Sequence, residues 1–153
     1  MTAPIALPFR LLGYAGLLPF AAGAALALLG PPPWRGWAVQ ALAAYGAVIL
    51  SFLGAVHWGL ALRATPDEAP AAWLRLGLGV VPALVGWVGL LLPARPGLAL
   101  LAAGVLAVSA VETAAARQGL VPADYLGLRW RLSLGAGACL LLGALAAGGG
   151  GLG

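Results

Sequence analysis

The chain has 153 residues, 63% of them hydrophobic and only 8% charged, with a net charge of +4 and a mean hydropathy of +1.03. A soluble domain carries about 25% charged residues, so the polar coat of a water-borne core is missing and lipid must be the solvent. The eight basic residues are all arginine and are scattered, which argues against a nucleic-acid surface.

Leu11–Leu29 is the first apolar run. Arg10 precedes it, but the run is too long for a signal-peptide core and more apolar spans follow, so it is expected to stay in the mature protein. Pro19 removes a backbone donor and should bend this helix, as Pro82 should bend the third. "GPPPWRGW", residues 30–37, then reads as a break: its prolines end helices and its tryptophans suit an interface.

Ala38–Leu62 is the second and longest span. "RATPDEAPAAWLR", residues 63–75, is the most polar stretch and reads as a water-exposed loop. Leu74–Leu92 is the third span, closed by "PARPG". Gly97–Ala116 is the fourth, with Glu112 near its end. "RQGLVPADYLGLRWR", residues 117–131, is a polar connection, Leu132–Ala147 is the fifth span, and "GGGGLG" at 148–153 reads as a flexible tail.

At about 1.5 Å per residue, some twenty residues cross a hydrocarbon core of roughly 30 Å. Uninterrupted apolar runs also lack the alternation of a barrel strand. The expected fold is an all-α membrane protein: one compact bundle of five transmembrane helices over residues 1–147.

Counting arginines on alternate sides orients the bundle. Arg10, Arg63, Arg75, Arg117, Arg129 and Arg131 fall on one side, and Arg35 and Arg95 on the other. Positive residues stay on the cytoplasmic side, which puts the amino terminus in the cytoplasm and the carboxyl terminus in the periplasm. Arginine without lysine, beside abundant Ala, Gly, Leu and Pro, associates the chain with a GC-rich bacterial genome and hence the bacterial cytoplasmic (inner) membrane.

The second span carries the chain's one histidine, in "SFLGAVHWGLALR", residues 51–63. His57 lies about five residues, roughly 8 Å, from the cytoplasmic end of that helix. Glu112 lies at a similar depth in the fourth span. An ionisable group inside a span costs about 2.5–3.5 kcal/mol at the bilayer centre and less toward the interface. Glu112 is therefore expected to turn inward and pair with His57, Arg129 or Arg131.

His57 shares a helical face with Gly46, Leu50 and Leu53, a plausible packed seam, while Ser51, Gly54 and Trp58 form a neighbouring face. Trp58, Trp73 and Trp130 also match an interfacial aromatic belt. Gly46, Gly54 and Gly59 are small enough for close helix approach, in a tight bundle or a dimer seam.

Other chemistry is thin. A single cysteine, Cys139, permits no intramolecular disulfide and no cysteine-rich metal site, and reads as a packing residue. One His and one Cys on separate helices do not make a zinc site, and one His supplies at most one of two axial haem ligands. No G-x-S-x-G, H-E-x-x-H or phosphate-binding loop is present, and "GAGA" at residues 135–138 reads as a lipid-facing run. No catalytic, cofactor-binding or metal residue is identified.

"LGYAGLLPF" (12–20), "AYGAVILSFLGAVHWG" (44–59), "VVPALVGW" (80–87) and "GLVPADYLGLRWRLS" (119–133) occur in this order. In this they resemble a family of small bacterial membrane proteins known as domain of unknown function 3429, whose mitochondrial relatives are called transmembrane protein 69. The resemblance covers about residues 10–145, and "SFLGAVHWG" is its most specific element. It implies a five-span membrane protein and supplies no activity. It further implies that Tyr45, Ser51, His57, Trp58, Tyr125 and Arg129 belong to the family pattern. Relatives often carry an aspartate where this chain has Glu112, which preserves the acid.

The leading functional expectation is a non-enzymatic accessory, assembly or scaffold subunit, embedded in lipid and packing against a larger membrane complex or itself. The alternative is a proton-linked carrier of a small solute centred on His57 and Glu112, since histidine titrates near neutrality. A membrane enzyme ranks below both, because a general base without a nucleophile or metal is a poor basis for chemistry.

Overall fold

A computed structural model describes residues 7–62, 72–117 and 123–148. These form six helices: α1 (Leu7–Ala15), α2 (Leu18–Leu29), α3 (Pro32–Leu62), α4 (Ala72–Leu91), α5 (Ala94–Ala116) and α6 (Ala123–Gly148). The stretch Leu7–Leu29, α3, α4, α5 and Tyr125–Gly148 are each long and apolar enough to cross a membrane. The five expected spans are there, and the first is made of two helices.

The first span breaks where a bend was expected. Pro19 has no N–H to return to the Ala15 carbonyl, and it sits in the first turn of α2, where that loss costs least. The chain tightens before it: Gly16 N donates to Leu12 O and Leu17 N to Tyr14 O, each at 3.0 Å. Tyr45 of α3 then donates its hydroxyl to Gly16 O at 3.0 Å, so one exposed carbonyl of the break is satisfied from a neighbouring helix.

The prolines of "GPPPWRGW" also act differently from expectation. Gly30 is extended, with φ −67° and ψ 163°, and ends α2, but Pro32 and Pro33 open α3 and carry Trp34, Arg35 and Trp37 into it. Arg35 donates from Nε to Gly30 O at 2.7 Å, closing the corner. At 31 residues α3 is about 46 Å long, well beyond the hydrocarbon thickness.

Other span boundaries shift in the same sense. Arg75 lies inside α4, Arg95 inside α5, and Arg129 and Arg131 inside α6, which starts at Ala123 and not at 132. α4 runs through Pro82 as one helix. Most of the polar loop at 63–71, the connection at 118–122 and the tail beyond Gly148 lie outside the described residues, and Gly148 itself closes α6.

Lipid gives no hydrophobic drive for helix association, so packing rests on close contact. Leu42, Leu50, Leu98, Leu101 and Leu140 are fully buried among α3, α5 and α6. α3 meets α4 at Gly54, where an added Cβ would lie 2.6 Å from the Gly79 carbonyl oxygen. Gly59, by contrast, has nothing within 4 Å of a Cβ position.

"GAGA", expected to face lipid, does so only in part, with Ala138 exposed. Ala136 and Gly137 are buried, and the Leu17 side chain packs over Gly135. Cys139 is half-buried against the core.

Candidate functional site

The polar interior is built where the end of α5 meets the start of α6. Helical spacing of three and four puts Ser109, Glu112 and Thr113 of α5 toward one side. Arg129, Trp130 and Ser133 of α6 present the matching set. Arg129 Nε donates to Glu112 Oε2 at 2.7 Å, a charge-assisted bond of the short, strong kind. Arg129 Nη1 donates to Ser133 Oγ at 2.9 Å, which also accepts from Ser109 Oγ at 2.6 Å. Trp130 Nε1 donates to Thr113 Oγ1 at 2.9 Å, and Thr113 donates to Ser109 O at 2.8 Å.

α3 closes the cluster from the third side. His57 is buried on the face of Gly46, Leu50 and Leu53, as its spacing predicts, and Gly54, expected on the neighbouring face, is buried with them. Its Nδ1 lies 3.2 Å from Leu53 O, and its Nε2 lies 3.9 Å from Glu112 Oε1. With Nδ1 donating to the carbonyl, Nε2 is the nitrogen turned to the acid. The pair is within ion-pair range and beyond direct hydrogen-bond length. His57, Glu112 and Arg129 are 4%, 2% and 4% exposed, so the carboxylate and guanidinium offset each other in a medium where either alone would be costly.

The expected site residues therefore divide. His57, Glu112 and Arg129 meet. Tyr125, one turn before Arg129, is close enough to interact with the charges of both Glu112 and Arg129. The other four lie elsewhere. Ser51 donates back to Ala47 O of its own helix at 2.9 Å. Trp58 lies over Gly79 and donates to Leu76 O of α4 at 3.3 Å. Tyr45 holds the α1–α2 break and meets Phe20 edge-on. Arg131 is exposed, because a two-residue step from Arg129 turns it to the outer face.

Ser109, Thr113 and Ser133 are the cluster members that sequence reasoning missed. The signal was present: Ser109 precedes Glu112 by three residues, and Ser133 follows Arg129 by four. Arg75 of α4 is also buried, at 6% exposed. Among the described residues no group of three or more His, Cys, Asp or Glu could hold a metal ion.

Five long apolar helices around an ion-paired interior define a multi-pass membrane protein seated in a lipid bilayer. The chain belongs to the family described as protein of unknown function DUF3429, whose family model matches residues 5–145. It is similar to transmembrane protein 69 of Xenopus tropicalis, with 43% identity over 86 residues, 55% of this chain and 32% of that protein. The chain thus spans about a third of the length of that relative. No solved structure matches it.

Proposed function

We propose that this protein is a small accessory, assembly or scaffold subunit of a membrane complex, in the bacterial cytoplasmic membrane with its amino terminus inside. One observation carries the reading: the buried acid of α5 is paired with the buried arginine of α6. Glu112 accepts from Arg129, and Arg129 donates to Ser133. Such a cluster fixes how α3, α5 and α6 sit together. The apolar outer surface, including Phe52, Trp87 and Leu142, is left for lipid or for another protein. Pull-down from mild detergent tests this. Recovery of a stoichiometric membrane partner or a homo-oligomer is the expected result, and a lone monomer under several solubilisation conditions counts against it.

A proton-linked solute carrier is the second reading, supported by the His57–Glu112 approach of 3.9 Å. It requires pH-dependent uptake into vesicles that is lost in His57→Ala. Uptake indifferent to that substitution removes it.

A further inference from the structure

A cavity of about 760 Å³ lies where α2 and α6 end and α3 and α5 begin. Arg35 in its wall and His57 are about 33 Å apart along α3, so this is the other end of the bundle from the ionic cluster. The four spans that meet here all reach their limit here, which sets the cavity at the boundary of the bilayer, at the level of the headgroups. Trp34 and Trp37 flank Arg35 and Gly36 of the wall, edge-on to each other and 56% and 59% exposed. Exposed tryptophans are concentrated at that same boundary.

The polar side chains of the wall are Arg35 and Gln40, and both are exposed. Arg35 spends its Nε donor on Gly30 O, which ties the guanidinium to the corner and leaves the four N–H donors of Nη1 and Nη2. A second guanidinium stands close by. Arg95 of α5 lies against the end of α6, with Nη1 3.2 Å from where a Cβ of Gly148 would be, next to Ala147 of the wall. Neither arginine has an ion pair among the described residues. The chain's four acidic residues are Asp67, Glu68, Glu112 and Asp124, and by chain order all belong to the side of His57. The rest of the wall is apolar, with Leu28 and Leu145 at the ends of α2 and α6. Two guanidiniums without a counter-charge, beside an apolar wall, complement a molecule with a phosphate head and a hydrocarbon tail.

We propose that this cavity binds an anionic glycerophospholipid, its phosphate held by Arg35 and Arg95 and an acyl chain lying against Leu28 and Leu145. The site does not depend on the scaffold reading.

The test is native mass spectrometry of the full chain in mild detergent. The protein is loaded with phosphatidylglycerol or with phosphatidylcholine of the same acyl chains, which share the phosphate and differ in net charge. Wild-type protein is expected to retain about tenfold more of the anionic lipid, the change that one hydrogen bond to a charged group implies. Arg35→Gln combined with Arg95→Gln is expected to bring the two lipids to parity. Arg10→Gln, exposed at the start of the first span, is expected to keep the preference. Excess inorganic phosphate should leave the bound lipid in place, and its displacement would assign the site to free phosphate and overturn the lipid. Equal retention of the two lipids by the wild type overturns the proposal without reference to any variant. A preference that survives in the folded double variant, or that Arg10→Gln abolishes equally, overturns it as well.

Discussion

Glu112 and Arg129 are joined by a bond of 2.7 Å between the last turns of α5 and the first turns of α6, with both side chains buried. Removing one partner leaves the other charged and unmatched in the interior. Such a loss is typically about 3–5 kcal/mol, whereas replacing both by apolar groups is often neutral. Glu112→Gln and Arg129→Met should each lower the thermal midpoint in detergent sharply. The double substitution Glu112→Leu with Arg129→Met should recover most of the loss. Additive losses would show that the two act separately.

Ser133 Oγ accepts from both Arg129 and Ser109, while Ser109 supplies only one of those two donors. Ser133→Ala should therefore cost more than Ser109→Ala. The expected losses are about 2 kcal/mol for the first, since two donors including a charged one lose their acceptor, and about 1 kcal/mol for the second. Denaturation in mixed detergent reads the order of the two.

At the α3–α4 crossing the obstacle to a larger residue differs on the two sides. A Cβ at Gly54 meets the backbone oxygen of Gly79, whereas a Cβ at Gly79 would fall within the Trp58 ring. Backbone cannot step aside and a side chain can. Gly79→Ala should be rescued by Trp58→Ala, and Gly54→Ala should not. Gly59→Ala, with nothing within 4 Å, should leave stability unchanged or raise it by up to about 1 kcal/mol. Thermal midpoints of the five variants check all three statements.

Tyr45→Phe keeps the edge-on contact with Phe20 and deletes only the bond to Gly16 O. The expected loss is about 1 kcal/mol. It should be confined to the first span, as faster amide exchange around Gly16 with little change in α5 and α6.

How much of this was legible in the sequence follows from what each signal measures. Apolar run length located five spans, because the bilayer imposes a minimum length that few other contexts require. The common depth of His57 and Glu112 came from counting residues to the helix ends, and their approach matches it. Helix ends were harder. Ala123 to Arg131 reads as a loop by charge, yet Arg129 and Trp130 are helical because Glu112, Ser133 and Thr113 satisfy them, and such partners come from elsewhere in the chain. Tyr45 and Trp58 looked like site residues through their place in the family pattern. Their polar atoms serve backbone carbonyls of the first span and α4, an assignment that needs three dimensions. Arg131 parts from Arg129 by helical phase only once the helix is seen to begin at Ala123.

The ion pair between neighbouring helices also bears on how the chain enters the membrane as it is made. Glu112 leaves the ribosome seventeen residues ahead of its counter-charge, Arg129. An unmatched acid delivered alone to the hydrocarbon is penalised. Leaving the translocation channel together, as a hairpin, would let the last two spans offset that penalty through the Glu112–Arg129 pair. A nascent chain truncated before Arg129 would leave Glu112 in α5 without its counter-charge.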